Sequence, residues 1–337
     1  MQEEYAISFI IPIDYKYAAR TEGVLGQCLD SILEQDFSLF EIIFVNIGRE
    51  DDMPDISAPF VRRDSRAKSL HIDRDNDFME YKAFNVAVQE ASGRHVMMLP
   101  PVDYLAEEAL ETIVVGGNDI VFMKTNIAGI NKEDLDGFTN KRILRNLGDK
   151  IMYGFLGPKL IRRNFLIENN IRYIEDITPE NPLFVQMDFH RQLYFSAQSF
   201  WITDYLCYGL TPVKKTRKSK KESVPEEEFN KILVVLSRWM GQDDRRTMHH
   251  WMASLYREGL LPAYAKMPRK LRVAYQTNVH DFRWLLDIQS NRPSKFAKSV
   301  SNMFGLGVAS QMLRLRHSLP IIYSSVPKSK KKVDDED

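Results

Sequence analysis

Over its first third the chain alternates short apolar runs with longer stretches in which apolar side chains recur every three or four positions. An uninterrupted apolar run predicts a strand covered on both faces, and a 3.6-residue period predicts a helix lying against it. Residues 6–13 (Ala-Ile-Ser-Phe-Ile-Ile-Pro-Ile), 40–45, 69–72, 95–99 and 119–123 read as five such strands. Between them, residues 21–34 form a helix with Leu25, Cys28, Leu29, Ile32 and Leu33 on one face. Residues 80–91 form a second helix ended by Gly93, and residues 106–115 a third, closed by Gly116-Gly117, glycine being suited to the left-handed position after a last turn. Strand and helix in alternation imply an α/β fold: a Rossmann-like, mostly parallel sheet with helices on both faces.

Beyond Lys124 the alternation lapses. Residues 159–167 read as strand or turn passing into helix, 182–197 as a helix with Thr178 near its start as a cap, and 200–208 as a last, aromatic strand. Residues 214–221 hold six Lys or Arg in eight positions and read as a solvated linker. Residues 225–239 and 244–258 are two further helices, with helical material continuing to about 288. The expected organisation is therefore an α/β domain over 1–213, a basic linker over 214–224, a helical region over 225–290 and a basic tail with an acidic end over 291–337. No internal repeat is present.

Composition narrows this picture. At 337 residues, 44% of them apolar, the chain can bury a full core. Lys plus Arg and Asp plus Glu both number 46, and the resulting net charge of +0 argues against nucleic acid as a partner. Two cysteines, Cys28 and Cys207, are too few for a disulfide scaffold and sit in apolar surroundings, as reduced core residues do. The first residues lack the charged, apolar and small-residue regions of a signal peptide, and no apolar run reaches the roughly 18–20 residues that span a bilayer. The expectation is a cytoplasmic protein, able to lie on the inner face of a membrane.

Several stretches carry a resemblance when taken in order: residues 8–13, Cys28-Leu29-Asp30-Ser31-Ile32-Leu33-Glu34-Gln35, Phe40-Glu41-Ile42-Ile43-Phe44-Val45, Asn85, Ala91-Ser92-Gly93-Arg94-His95-Val96 and Asp103-Tyr104-Leu105. It resumes with Lys159-Leu160-Ile161-Arg162-Arg163, Glu168-Asn169-Asn170-Ile171-Arg172 and Leu183-Phe184. Over roughly residues 5–210 the chain resembles family 2 glycosyltransferases of the GT-A fold. The resemblance implies a sugar nucleotide lying across the carboxyl ends of the strands, near Pro12, Asn46, Ile47, Asn85 and Asp103. It equally implies acidic motifs that this chain lacks. The family's Val-Asp-Asp-Gly-Ser reads Val45-Asn46-Ile47-Gly48-Arg49, its Arg-Asn reads Phe84-Asn85, its metal-holding Asp-x-Asp-Asp reads Pro100-Pro101-Val102-Asp103, and its Glu-Asp reads Glu180-Asn181.

Mn²⁺ and Mg²⁺ require oxygen ligands, and Pro and Val side chains supply none. No cofactor is expected on that ground, and Asp103 meets a metal only if the strand end shifts by one residue; otherwise it caps the following helix. Asn181 stands where the resemblance places the catalytic base, yet an amide accepts no proton near neutral pH, which forfeits roughly 10²- to 10⁴-fold. Glu180 and Asp176, with Glu175, are the neighbouring carboxylates that could replace it. Two readings follow: a non-catalytic or strongly impaired member of cell-envelope or capsule polysaccharide synthesis, binding a partner transferase, a second copy, a glycan or a nucleotide sugar; or an active transferase using non-standard residues, with Mn²⁺ or Mg²⁺ entering only here.

Other features have plainer explanations. His249-His250 face different sides of a helix and have no third ligand at suitable spacing. Asp188 and His190 read as helix surface, and Trp239, Trp251 and Trp284 as packing. From 292 to 332 there are nine Lys or Arg and no Asp or Glu. There Phe296, Val300, Met303 and Phe304 share a helical face, with Lys295, Lys298 and Asn302 away from it, which suits an anionic membrane surface or a tail helix packed on the domain.

Overall fold

In the computed structural model, residues 5–15, 18–48, 56–74, 79–112, 116–125, 158–175, 182–209, 225–241, 249, 251–253, 255–288, 298–303 and 305–318 are described. The elements run β1 (Ile7–Asp14), α1 (Ala18–Leu33), β2 (Phe40–Ile47), α2 (Ala58–Arg63), β3 (Ala67–Ile72), α3 (Met79–Glu90), β4 (His95–Met98), β5 (Tyr104–Leu105), α4 (Ala109–Thr112) and β6 (Ile120–Thr125). They continue with β7 (Lys159–Arg162), α5 (Arg163–Glu168), α6 (Pro182–Ser196), β8 (Phe200–Gly209) and α7 (Pro225–Met240). A π-helical turn, Tyr256–Leu260, leads into α8 (Leu261–Lys266), followed by α9 (Arg269–Ala274), α10 (Gln276–Asp281), a 3₁₀ turn over Arg283–Asp287 and α11 (Leu306–Ser318).

One sheet takes the strand order β3-β2-β1-β4-β7-β6-β8-β5. The pairs β2–β3, β1–β2, β1–β4 and β6–β8 are parallel, and β4–β7, β6–β7 and β5–β8 antiparallel. The mostly parallel α/β expectation is met. Side chains alternate across a strand, so β1 divides its apolar residues between two layers. Ile7, Phe9, Ile11 and Ile13 face a core built with Leu25, Cys28, Leu29 and Ile32 of α1, while Ile10 faces the other core, with α3, α5 and α6. Both faces are covered, which is why the strand reads as a continuous apolar run.

The helical region after residue 225 joins the second of these cores. Along α7, Phe229, Ile232, Val235, Leu236 and Trp239 are buried, an i, i+3, i+6, i+7, i+10 stripe. Trp239 and Trp251, both fully buried, meet with ring centroids 6.2 Å apart, and Trp251 packs edge-on against Tyr194 of α6 at 6.1 Å. The expected packing roles of these tryptophans hold. Tail helix α11 lies on α8 through Leu306, Ala309 and Ser310, and Gln311 Nε2 donates to the Ala265 carbonyl at 2.9 Å.

Two local readings change. Helix α4 begins at Ala109, not at 106, because residues 104–105 pair with β8 and the Ala106 N–H donates to the Cys207 carbonyl at 3.0 Å. In the tail, Val300 is buried whereas Met303 is 64% exposed, so these two do not share one solvent-facing stripe, and Lys298 is paired with Asp287. The basic linker, Thr178, Phe296, Phe304, His250 and the acidic end lie outside the described residues.

Candidate functional site

Strand β4 stops where it must. Leu99 still donates to the Ile10 carbonyl at 2.9 Å, but Pro100 and Pro101 have no N–H with which to continue a ladder. The Asp103 N–H closes a four-residue turn on the Pro100 carbonyl at 3.0 Å, with Pro101 at the second position, where proline's fixed φ is favoured. The chain then returns along β8 through Tyr104 and Leu105. Helix α1 holds this return segment. Ser31 Oγ accepts the Leu105 N–H at 3.0 Å, while Gln35 accepts the Leu110 N–H through Oε1 and donates to the Ala106 carbonyl through Nε2, at 3.0 and 2.9 Å. At the far side Gly209 lies under the Tyr104 ring, where a Cβ would come within 2.1 Å of a ring atom.

Asp103 therefore caps no helix. It is buried, and its Oδ2 accepts the Tyr208 hydroxyl at 2.7 Å. It lines a cavity of about 200 Å³ beyond the end of β4. Aromatic rings form one wall: Tyr173 stacks on Phe189 at 3.8 Å, with Phe84 edge-on to both at 5.6 Å. Asn85 sets this wall, since its Nδ2 donates to the Tyr173 carbonyl at 2.8 Å and its Oδ1 accepts the Tyr173 N–H at 3.0 Å.

Next to these rings the lining turns polar, with Lys159 and His190 buried and Gln186 half-buried. Lys159, at the start of β7, donates from Nζ to His190 Nε2 at 3.2 Å; the imidazole's Nδ1–H donates in turn to the Gln186 carbonyl at 2.7 Å. That arrangement keeps His190 neutral with Nε2 as acceptor. Burial pushes the Lys159 ammonium down to about 7, and burial, with the Lys159 charge, holds His190 well below its ordinary value. Gln186 also donates to the Tyr81 hydroxyl. His190 was expected on a helix surface, but α6 is apolar on most sides and is buried accordingly. Asp188 is likewise buried, accepting from Arg191 Nε at 3.0 Å and Gln192 Nε2 at 2.8 Å.

Beside this cavity, the ends of β1 and β2 bring together Pro12, Asn46 and Asp14. Asn46 is buried and its Nδ2 donates to Ser57 Oγ at 3.1 Å; Asp14 is ion-paired with Arg74. Ile47 points into the core, and Gly48 takes a φ of +149° against the Tyr15 ring, which a Cβ would meet at 2.8 Å. Asp176, Glu180 and Asn181 lie outside the described residues. Among the described residues the donor set does not fit a divalent metal. Asp103 supplies one carboxylate, already accepting a hydroxyl, in a cavity that also holds an amine, whereas such ions take several oxygen ligands. Among the described residues no group of three or more His, Cys, Asp or Glu is placed to hold one.

Sequence reasoning missed Lys159, His190, Gln186, Tyr173 and Tyr208. The available signal was a lysine opening an apolar strand, a position where a charge is costly unless used.

Residues 8–168 match the family model described as glycosyl transferase family 2. Residues 8–168 thus form a family 2 glycosyltransferase-like domain. Similar sequences include glycosyltransferase GlyG of Streptococcus pneumoniae, 29% identical over 32% of this chain and 33% of that protein, and putative glycosyltransferase EpsH of Bacillus subtilis, 22% identical over 63% and 60%. A PGL/p-HBAD biosynthesis glycosyltransferase of Mycobacterium bovis is 28% identical over 48% of this chain and 66% of its own length. The chain thus spans about a third of GlyG and under two thirds of EpsH. Among solved structures, S. aureus TarS 1–349 in complex with UDP-GlcNAc superposes with a TM-score of 0.63 at 16% identity, covering 93% of this chain and 91% of that one. The GT-A-like expectation holds, and the shared fold reaches past the family 2 domain into the helical region.

Proposed function

We propose that this family 2 protein serves cell-envelope or capsule polysaccharide synthesis by holding a nucleotide sugar or glycan in the strand-end cavity without a divalent metal, its ordinary transfer chemistry lost or strongly impaired. The observation that carries this reading is the Pro100–Asp103 turn. Where the family's metal carboxylates would stand, two prolines close a turn and the one remaining carboxylate accepts the Tyr208 hydroxyl. The charge facing a diphosphate is then the protein's own, on Lys159. TarS, of the same fold, was crystallised with UDP-GlcNAc, which supports the ligand class. A partner transferase or a second copy would supply what this site lacks, and the basic residues of 292–332 would draw the chain to an anionic leaflet. Among the described residues no helix is long and apolar enough to cross a membrane.

A second reading, an active metal-independent transferase, is favoured by Lys159 and His190, which lie in the cavity and can carry charge and a proton between them. One experiment tests both. UDP- and GDP-sugars are titrated by calorimetry with and without Mn²⁺, and donor turnover is followed in parallel. The expected result is binding that Mn²⁺ leaves unchanged, that Lys159→Met abolishes, and that is accompanied by no turnover. Metal-tightened binding removed by Asp103→Ala sinks the proposal; turnover that Lys159→Met eliminates establishes the second reading.

A further inference from the structure

A second cavity, of about 190 Å³, sits among the carboxy-terminal helices and shares no lining residue with the strand-end cavity. Its wall includes Ser301, His280, Arg283 and the segment Gly305-Leu306-Gly307, where α11 begins. Helix α11 runs for 13 residues, so its first N–H groups form a full helix N-terminus, with unbonded donors and a partial positive charge. Gly305 takes a φ of +83°, and a Cβ on Gly307 would meet nothing within 4 Å, so the approach to the Leu306 and Gly307 backbone is open.

The independent observation is Ser301. It is 4% exposed, it lines this cavity, and its hydroxyl has no hydrogen-bond partner. A buried hydroxyl without a partner costs about 1–3 kcal/mol, and a site that keeps one is a site where a partner arrives. Arg283 adds a guanidinium that donates through one nitrogen to Asn302 Oδ1 at 2.6 Å and has further N–H groups to offer. His280 supplies another polar ring. A hydroxyl, helix-terminal amides and a guanidinium around a small cavity are the donor set of an oxyanion with several acceptor oxygens.

We propose that this cavity binds a phosphoryl group, held by the Ser301 hydroxyl, the Leu306 and Gly307 amides and the Arg283 guanidinium. The apolar neighbours Tyr264, Val279 and Leu306 give it a dry back wall. The phosphoryl group belongs either to a soluble phosphate ester or to the headgroup of a phosphorylated lipid, and the two are separated by the probe.

The full chain is titrated with inorganic phosphate by calorimetry and, separately, sedimented with phosphatidylcholine vesicles with and without polyprenyl phosphate. Both assays are repeated on Lys159→Met, which empties the strand-end cavity of its cation and leaves the proposed site intact. Arg283→Gln is expected to weaken binding tenfold or more, and Ser301→Ala about fivefold. Ser301→Ala should not lower the melting temperature without ligand, because the hydroxyl it removes has no partner; it therefore separates loss of binding from loss of fold. Phosphate binding that persists in Lys159→Met and falls in both site variants supports a soluble ligand. Sedimentation only with the phosphorylated lipid, lost in both variants, supports the lipid headgroup. Absence of binding to either probe, binding abolished by Lys159→Met alone, or weakening confined to Arg283→Gln overturns the proposal.

Discussion

The two ends of the sheet have been treated differently. At the amino ends of the parallel strands the residues that carry the family resemblance stand, and the buried carboxylates Glu41 and Asp119 are tied. Glu41, buried, accepts from Ser8 Oγ at 2.6 Å and from the Ser92 N–H at 2.5 Å, and pairs with Lys68 at 2.9 Å. Gly93 passes so close to Ser8 that a Cβ would sit 2.6 Å from its backbone nitrogen. In the neighbouring loops, Asp119 receives two hydrogen bonds from Arg162 and two more from the Gln198 and Ser199 N–H groups. At the carboxyl ends the frame is kept but the acidic residues are replaced, and a buried amine faces a cavity. The amino end is thus tied by hydrogen bonds and ion pairs, whereas at the carboxyl end Pro100, Pro101 and Val102 offer no side-chain oxygen. Ala91-Ser92-Gly93 serves the fold, its Ser92 and Gly93 N–H groups donating to Glu41 and Ser8, and Ser31 with Gln35 does the same for the return segment by holding the Leu105, Ala106 and Leu110 backbone.

This contrast can be broken most sharply at Gly93. A methyl there meets backbone, which cannot swing aside, so Gly93→Ala should destabilise the protein by about 3 kcal/mol, measured by urea unfolding. An unchanged midpoint would mean that the amino end is less constrained than its geometry indicates.

The opposite sign is expected at the other end. Lys159 has a folded-state value near 7, below the ordinary lysine value of 10.5, because burial disfavours its charge. The unfolded chain therefore holds this proton over a range where the folded chain does not, and stability falls as pH drops from 10.5 towards 7. Removing the amine in Lys159→Met should stabilise the fold by about 2 kcal/mol below pH 7, with the gain vanishing towards pH 10.5. A variant less stable at every pH would show that Lys159 supports the fold and is not a liability retained for its site.

A smaller effect sharpens the comparison from the acid side. Burial alone would raise Glu41, but hydrogen bonds from Ser8 and Ser92 and the Lys68 ammonium outweigh it and hold the carboxyl below 4.5; Asp119 is held below 3.8, the donated hydrogen bonds and Arg162 outweighing burial. Groups held low stabilise the fold above their unfolded values and lose that contribution as pH falls through the folded ones. Native protein should lose about 1–2 kcal/mol between pH 5 and 3, and Glu41→Gln should lose less over that interval.

Much of this was legible in the sequence. The apolar runs of β1 and β2 are long and their period unmistakable, so the sheet and its two layers followed directly. The Pro100-Pro101-Val102 replacement needed no coordinates to exclude carboxylate ligands. What could not be read was the return of residues 104–105 along β8, because a two-residue strand has no period and its partner lies a hundred positions away. The same holds for Lys159 and His190, brought together across 31 residues by β7 and α6. Lys159 stands out only as a charge opening an apolar strand, and His190 looks like an ordinary surface residue until the burial of α6, which also packs on Trp251 through Tyr194, is known.

The two cysteines acquire a use from the turn they flank. Cys28 Sγ lies 3.9 Å from the Pro100 carbonyl, and Cys207 contributes the carbonyl that receives the Ala106 N–H. Burial first, and the Asp103 charge second, push the Cys28 thiol up to about 12, so it is inert while the turn is closed. Any opening of the 100–106 segment exposes it to solvent and returns it to the reactivity of an ordinary thiol. The rate at which a small alkylating reagent labels Cys28 is therefore a clock for that opening. Because the segment walls the strand-end cavity, a ligand lodged there should slow it.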